Sequence, residues 1–513
     1  MTCHRLPPLL PLLPLDQDRT APALITGEQT ISHGQLRAQA ASVAEDLAAH
    51  GLGPGHGVVL LAERTPAGVA TLLGLLQAGC CVIPLDTHAP SARLRDLLGR
   101  AAPRAVLAQG HGARRLRGLL SREAPLPLCL TVQAGADLRR TVSLLARGGA
   151  PFRPCPAAAS HAMFTSGSTG EPKGLVFSRA SLDQLLRWFA GRFSVGPSDR
   201  MLALAPLHFD ISLVELLLPL SVGASACLAP ALAGAAPGVL ADFLQRSGVT
   251  LAYMVASMAR GLPGELAAPS ALALTRLILT GEPAHGAWVE GLQRSLPRAQ
   301  LFNLYGATEV PVATLYTVPR PPPPGLLPLG RAVAGMALQL LGQGDAPVAP
   351  GDAGEVVVSG ELLPLGHLED EAQDQQRMLI IDGARWLRTG DWARQDADQE
   401  LHFIGRRDEL VKVRGCRVDL TEVDRALGSH PGVTHALTCL AGAPADPELW
   451  AAVSGGPGLD ATDVQLHCAR VLPGYMVPAR VEVLLPLPRT SSGKLDRRAL
   501  SRALGARPEQ GEG

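Results

Sequence analysis

The chain has 513 residues, more than one hydrophobic core ordinarily serves, so two or more domains are expected. Hydrophobic residues make up 47% of it, too many for a disordered protein. Lys plus Arg and Asp plus Glu both number 46, so no net field draws the chain to nucleic acid or to a membrane surface.

Pro7 to Leu15 is apolar, but its prolines break a helix and only Arg5 flanks it with charge, so it is not read as a signal peptide. Val58 to Ala62 reads as a strand, Ala67 to Ala78 as a helix and Cys81 to Leu85 as the next strand. Ala105 to Ala108, Met201 to Ala205, Leu277 to Thr280 and Gln300 to Leu304 read as further buried strands. Leu216 to Ala241 carries no charge but is punctuated by Pro219, Gly223, Pro230, Gly234, Pro237 and Gly238. It reads as a helix, a buried strand and a loop, not a membrane span. Short apolar strands alternating with helices predict an α/β fold with doubly wound, mainly parallel sheets, which place ligands at the carboxyl ends of strands.

Arg320 to Pro324 is a proline-rich connector. Beyond it, Glu355 to Ser359 and Leu401 to Ile404 read as strands of a β-rich subdomain. The last hundred residues read as a small α+β unit: a strand pair over Glu409 to Arg417, a helix over Leu420 to Leu427, a strand over Ala436 to Leu440 and a helix over Ala461 to Val471. The expected division is a core over 1–407, a small carboxy-terminal domain over 408–504 and a disordered tail over 505–513. The nine cysteines have no CxxC spacing and read as thiols of a reducing compartment, which points to the cytoplasm.

The segment Phe164-Thr165-Ser166-Gly167-Ser168-Thr169-Gly170-Glu171-Pro172-Lys173-Gly174 packs hydroxyls and glycines around one lysine. Glycines let backbone amides approach an anion, hydroxyls donate to phosphate oxygens, and the ammonium neutralises charge. The spacing is not that of a Walker A loop. The chain has three lysines, Lys173, Lys412 and Lys494, and one asparagine, Asn303. A chain this biased toward Arg keeps Lys where a compact ammonium cannot be replaced by a planar guanidinium.

The segment resembles the phosphate loop of the adenylate-forming superfamily, which includes acyl-CoA ligases, luciferases and the adenylation domains of nonribosomal peptide synthetases. The resemblance runs along nearly the whole chain. Leu76 to Asp86 is similar to an early AGG-Y-P-D segment, Phe209-Asp210-Ile211-Ser212 to FDxS, and Asn303-Leu304-Tyr305-Gly306-Ala307-Thr308-Glu309 to N-x-Y-G-x-T-E. Arg388-Thr389-Gly390-Asp391 is similar to RTGD, and Gly405 to Asp408 with Val411 to Gly415 to GRxD…VKxRG. Ser492 to Arg497 is similar to the terminal GK-[VL]-DR.

What the resemblance implies is an ATP- and Mg²⁺-dependent AMP-forming ligase. Thr165, Ser166, Gly167, Ser168, Thr169, Gly170 and Lys173 would hold the β- and γ-phosphates. Tyr305 would stack on adenine, Asn303 would bond its amino edge, and Gly281, Glu282 and Leu304 would line the nucleotide. Thr308 would contact the α-phosphate, Glu309 would ligate Mg²⁺, and Asp391, with Arg406 nearby, would accept from the ribose. Lys494 would bridge the substrate carboxylate and the α-phosphate. After adenylation the family rotates its small domain about a hinge, here Asp408, bringing Lys412 to Gly415 to the thiol tunnel. His208 is open to two readings, a gate to the acyl site or a packing residue.

In the amino-acid-activating branch the FDxS aspartate, here Asp210, pairs with the substrate ammonium. By the same resemblance the side-chain pocket is Ile211, Val214, Tyr253, Ile278, Thr280, Leu304, Val312 and Ala313, aliphatic with one phenol and one hydroxyl. The set resembles that of stand-alone prolyl-adenylating enzymes, which puts L-proline first and valine, alanine or another small aliphatic residue behind it. The acceptor expected is a separate phosphopantetheinylated carrier protein. Rival readings are a D-alanine–carrier protein ligase, an acyl- or aryl-CoA ligase, and a non-catalytic adenylate-binding regulator. Two positions depart from the family: Leu365 stands where an Arg of ARGY is usual, and Thr280 replaces a common glycine.

Overall fold

The computed structural model describes residues 18–120, 128–134, 140–146, 151–166, 171–266, 272–369, 377–406, 410–443, 446–456, 458–488, 495 and 497–505. The apolar stretch 7–15, phosphate-loop residues 167–170, Asp408, Lys494 and the tail beyond 505 lie outside them. The chain divides into two units. The larger comprises Met1–Thr87, Leu98–Phe164 and Gly174–Gly405; the smaller comprises His88–Leu97, Thr165–Lys173 and Arg406–Gly513.

The larger unit is built on three sheets. One has nine strands. At its centre Ser225–Leu228, Arg200–Ala203, Leu251–Val255, Arg276–Thr280 and Gln300–Ala307 run parallel. Its edges are antiparallel: Val310–Thr317 returns along Gln300–Ala307, and Thr30–Ser32 along Pro22–Ile25. A second sheet of eight strands has the parallel set Ala159–Ser166, Cys81–Pro84, Gly57–Leu61, Ala105–Ala108 and Leu128–Ala134. The third, antiparallel, contains Met336–Leu341, Ala353–Gly360, Met378–Ile381 and Ala384–Gln395. The sheets are thus mixed: most of the parallel strands are the apolar runs read from the sequence, but Leu251–Val255, Leu128–Ala134, Ala159–Ser166 and the antiparallel edges are not among them.

One core cluster draws on both large sheets and on the helices His33–Ala49, Pro66–Gln77, Arg179–Arg192 and Ile211–Ser221. Pro66–Gln77 starts with Thr65, whose hydroxyl accepts from the Gly68 N–H, and with proline at the first turn, which needs no donor there. Its residues Gly68 to Leu76 are all buried, as expected of a helix apolar all round. Among the described residues no helix is long and apolar enough to cross a membrane. Seven of the eight described cysteines are buried and all eight are free thiols.

In the smaller unit a hairpin of Leu410–Val413 with Cys416–Asp419 precedes the helix Leu420–Gly428. A three-stranded sheet of Val433–Ala443, Asp446–Gly455 and Arg480–Val483 carries the helices Ala461–Val471 and Arg497–Gly505. Asp419 and Asp460 cap two of these helices through side-chain bonds to Thr421 and Thr462.

Asp199 ties together the starts of three parallel strands. Its carboxylate accepts from the Gly196 N–H at 2.9 Å, the Thr250 hydroxyl at 2.7 Å and the Arg276 guanidinium. Burial alone would raise its pKa, but these donors hold it below the usual carboxylate value. A depressed carboxylate contributes stability that is complete above its unfolded-state pKa and disappears as pH falls through the folded value. We expect Asp199→Asn to cost about 1–3 kcal/mol at neutral pH, because it leaves a half-buried guanidinium without its anion. Urea unfolding midpoints of the two proteins should converge as the pH is lowered below about 4.

Candidate functional site

Three adjacent parallel strands carry four of the eight predicted pocket side chains. In their register Tyr253 lies beside Ile278, Val255 beside Thr280, and Thr280 beside Leu304. Because side chains alternate along a strand, Tyr253, Ile278 and Leu304 face one side and join one core cluster, while Met254, Leu277, Leu279 and Leu301 face the other. Val312 and Ala313 reach the first cluster from the antiparallel strand Val310–Thr317, and Val214 from the helix Ile211–Ser221. All of these are buried; Ile211 is partly exposed and packs against them.

Asp210 stands at the amino end of that helix and accepts from the Ile211 N–H at 2.8 Å. The Tyr253 side chain is buried, with the Asp210 carboxylate and the Thr280 hydroxyl near its phenol. Burial first, and then the Asp210 carboxylate, push its pKa up, with the Thr280 hydroxyl opposing. Asp210, Tyr253 and Thr280 thus form one polar group against aliphatic walls. His208, in the connection that leads into this helix, packs its ring 4.5 Å from that of Phe209.

The predicted nucleotide residues of the larger unit cluster in part. The Tyr305 hydroxyl donates to Asp391 Oδ2 at 2.6 Å, and both residues are buried. The Asp391 N–H donates to the Thr389 hydroxyl, which itself donates to the Val356 carbonyl at 2.8 Å. Glu309 is buried and paired with Arg377 at 3.1 Å. Asn303 donates to the Pro328 carbonyl at 2.8 Å, so its amide is engaged with the main chain here. Glu282 accepts from the Ser257 N–H at 2.9 Å, just past Gly281, whose φ of +81° suits glycine. Gly306 is required by close approach: a Cβ there would lie 2.3 Å from the Pro311 carbonyl oxygen. Thr308 is partly exposed in the turn between the strands Gln300–Ala307 and Val310–Thr317.

Thr165 and Ser166 end the strand Ala159–Ser166, and Lys173 lies in the following strand Pro172–Ser178, half-buried. Arg406 ends the strand Leu401–Arg406. In the smaller unit Lys412 sits opposite Arg417 in the hairpin, and Gly415 makes its turn at φ +78°. The departure at Leu365 leaves a side chain that is partly solvent-exposed, while its backbone N–H donates to the Val176 carbonyl.

Two residues of this region carry no motif signal strong enough to find them. Arg377 is 68 positions from Glu309, a pairing that no local spacing encodes. Glu215 is the one charge inside the helix ISLVELLLPLS; its carboxylate accepts from the Leu204 and Ala205 N–H groups, both at 2.8 Å. A lone acid in an apolar helix is the signal that could have flagged it.

Comparison with known proteins identifies the family. Residues 15–368 match the family model described as AMP-binding enzyme. The chain is 30% identical over 495 residues to the L-proline–[L-prolyl-carrier protein] ligase of Pseudomonas fluorescens, covering 94% of this chain and 95% of that one. It is 31% identical to a dimodular nonribosomal peptide synthase of Bacillus subtilis, of which it spans 20%. The solved structure of holo-PA1221, an NRPS protein containing adenylation and PCP domains, superposes with a TM-score of 0.77 at 27% identity, covering 94% of this chain and 81% of that one. The family model covers more than half of the chain and the prolyl-carrier protein ligase is matched over nearly its whole length, and on that basis the chain belongs to the AMP-binding enzyme family and is an AMP-forming ligase.

Proposed function

We propose that this ligase activates a small apolar amino acid, L-proline first, and passes it to the phosphopantetheine thiol of a separate carrier protein. The observation that carries the reading is the grouping of Asp210 and Tyr253 against an otherwise aliphatic set of side chains. A carboxylate at the edge of an aliphatic pocket attracts a cationic group on the ligand, and an α-ammonium is such a cation. No side chain of the set carries a second charge for an acidic or basic substrate. The similarity to a prolyl-carrier protein ligase supports the choice of proline over valine or alanine.

In the first step a carboxylate oxygen attacks the α-phosphorus of ATP and the bond to pyrophosphate breaks. The carboxylate is already ionised at neutral pH, so no general base is needed. Tyr305 and Asp391, held to one another, would take the adenosine; Lys173 and Lys494 would balance phosphate charge. Mg²⁺ arriving with ATP needs few protein oxygens, and the buried carboxylate of Glu309 fits that need. When bound, the ion neutralises charge on the phosphate oxygens. In the second step the carrier thiolate attacks the acyl carbon and AMP leaves.

ATP–pyrophosphate exchange across a panel of acids tests the reading. Proline or another small aliphatic amino acid should drive exchange; exchange with des-amino acids alone would instead assign a CoA-type ligase. Asp210→Ala should raise the amino acid KM on the order of 100-fold while the ATP KM stays within about twofold. An unchanged amino acid KM would remove Asp210 from its role. Tyr305→Phe deletes the donor to Asp391 and should raise the ATP KM by about 10-fold, with little change in the amino acid KM. Lys494→Ala should abolish adenylate formation and spare thioester transfer from preformed adenylate, followed by single-turnover assays of each step.

A further inference from the structure

The connection from the strand Arg200–Ala203 to the helix Ile211–Ser221 ends at Asp210, and its geometry is held from inside the helix. Leu204 and Ala205 are the first residues past the carboxyl end of the strand, where parallel sheets leave backbone donors without a ladder partner. Both N–H groups are taken by one oxygen of Glu215, which is 1% exposed. Glu215 lies one turn along the helix from Ile211, so the carboxylate that fixes the start of the connection rides on the helix that fixes its end. Within the connection the Phe209 N–H donates to the Pro206 carbonyl at 3.0 Å, and the Ser212 hydroxyl to the Leu207 carbonyl at 3.2 Å. Arg64, following the strand Gly57–Leu61 of the other large sheet, attracts Glu215 electrostatically.

We propose that Glu215 is a positioning residue for the acid site: by clamping Leu204 and Ala205 it sets where the Asp210 carboxylate stands. This rests on Asp210 receiving the amino group of the substrate. Burial pushes the Glu215 carboxyl up to about 8, with the Ala205 N–H, Arg64 and the Leu204 N–H pulling it back. It is therefore its acceptor oxygen, more than a full charge, that the clamp uses. The carboxamide of Gln offers the same oxygen on the same stem; Ala offers none, and Asp cannot reach both amides from one carbon nearer the helix.

The test compares Glu215→Ala, Glu215→Gln and Glu215→Asp with the wild type in the full chain, using the amino acid that drives exchange best. Ala and Asp should raise the amino acid KM on the order of 10- to 100-fold, leave the ATP KM within about twofold, and Gln should restore the wild-type value. Adding Glu215→Ala to Asp210→Ala should cost little further, because both act through one carboxylate. Parallel loss of both KM values, additive loss in the double variant, or a raised amino acid KM in Glu215→Gln would overturn the assignment. If Glu215→Ala does not fold, the Asp and Gln variants decide it, since a wild-type amino acid KM in Glu215→Asp overturns it alone. Wild-type exchange with des-amino acids only would defeat the amino acid reading instead, a result visible before any variant is made.

Discussion

Three parallel strands, Leu251–Val255, Arg276–Thr280 and Gln300–Ala307, stand in unbroken register, and the site follows from that constraint. With the register set, alternation sends Tyr253, Ile278 and Leu304 to one face and leaves no freedom about which residues meet there. The last of these strands then continues into Tyr305 and turns through Thr308 and Glu309, so the pocket residue Leu304 and the motif proposed to meet the phosphates are consecutive stretches of one chain segment. A slip of one residue would exchange the pocket for the opposite core cluster.

Charge inside this unit is handled by a different partner each time. Asp391 takes a phenol, Glu309 a guanidinium, Glu215 two backbone amides, and Arg388 of the RTGD segment the carboxylates of Glu355 and Asp345. Burying an ion costs several kcal/mol unless such partners exist, so each is an element of the architecture as well as of the chemistry. Asp391 and Glu215 lie at or just behind the surfaces proposed to meet ligands.

Several of the central parallel strands were legible because buried strands are apolar runs, but Leu251–Val255, Leu128–Ala134 and the helices His33–Ala49 and Arg179–Arg192 were not read. Ala105–Ala108 and Ala461–Val471 fall on the predicted bounds, and most others within a residue or two. The antiparallel edges were not legible, since Thr30–Ser32 has three residues and no alternation to read. Scarcity made the candidate residues legible: three lysines and one asparagine in 513 residues all fall in motifs. Contacts across long separations were hidden for a physical reason. The Arg377 to Glu309 pair and the Glu215 clamp depend on tertiary approach, and local propensity holds no record of it.

The polar corner at Tyr253 and Thr280 has a consequence for how the pocket can change. Both side chains are buried beside aliphatic walls, and the Asp210 carboxylate makes ionising the phenol harder still. A bulkier acid would have to displace one of them, and a buried polar group left without a partner costs about 1–3 kcal/mol. Enlarging the pocket at this corner therefore trades stability for a wider range of acids.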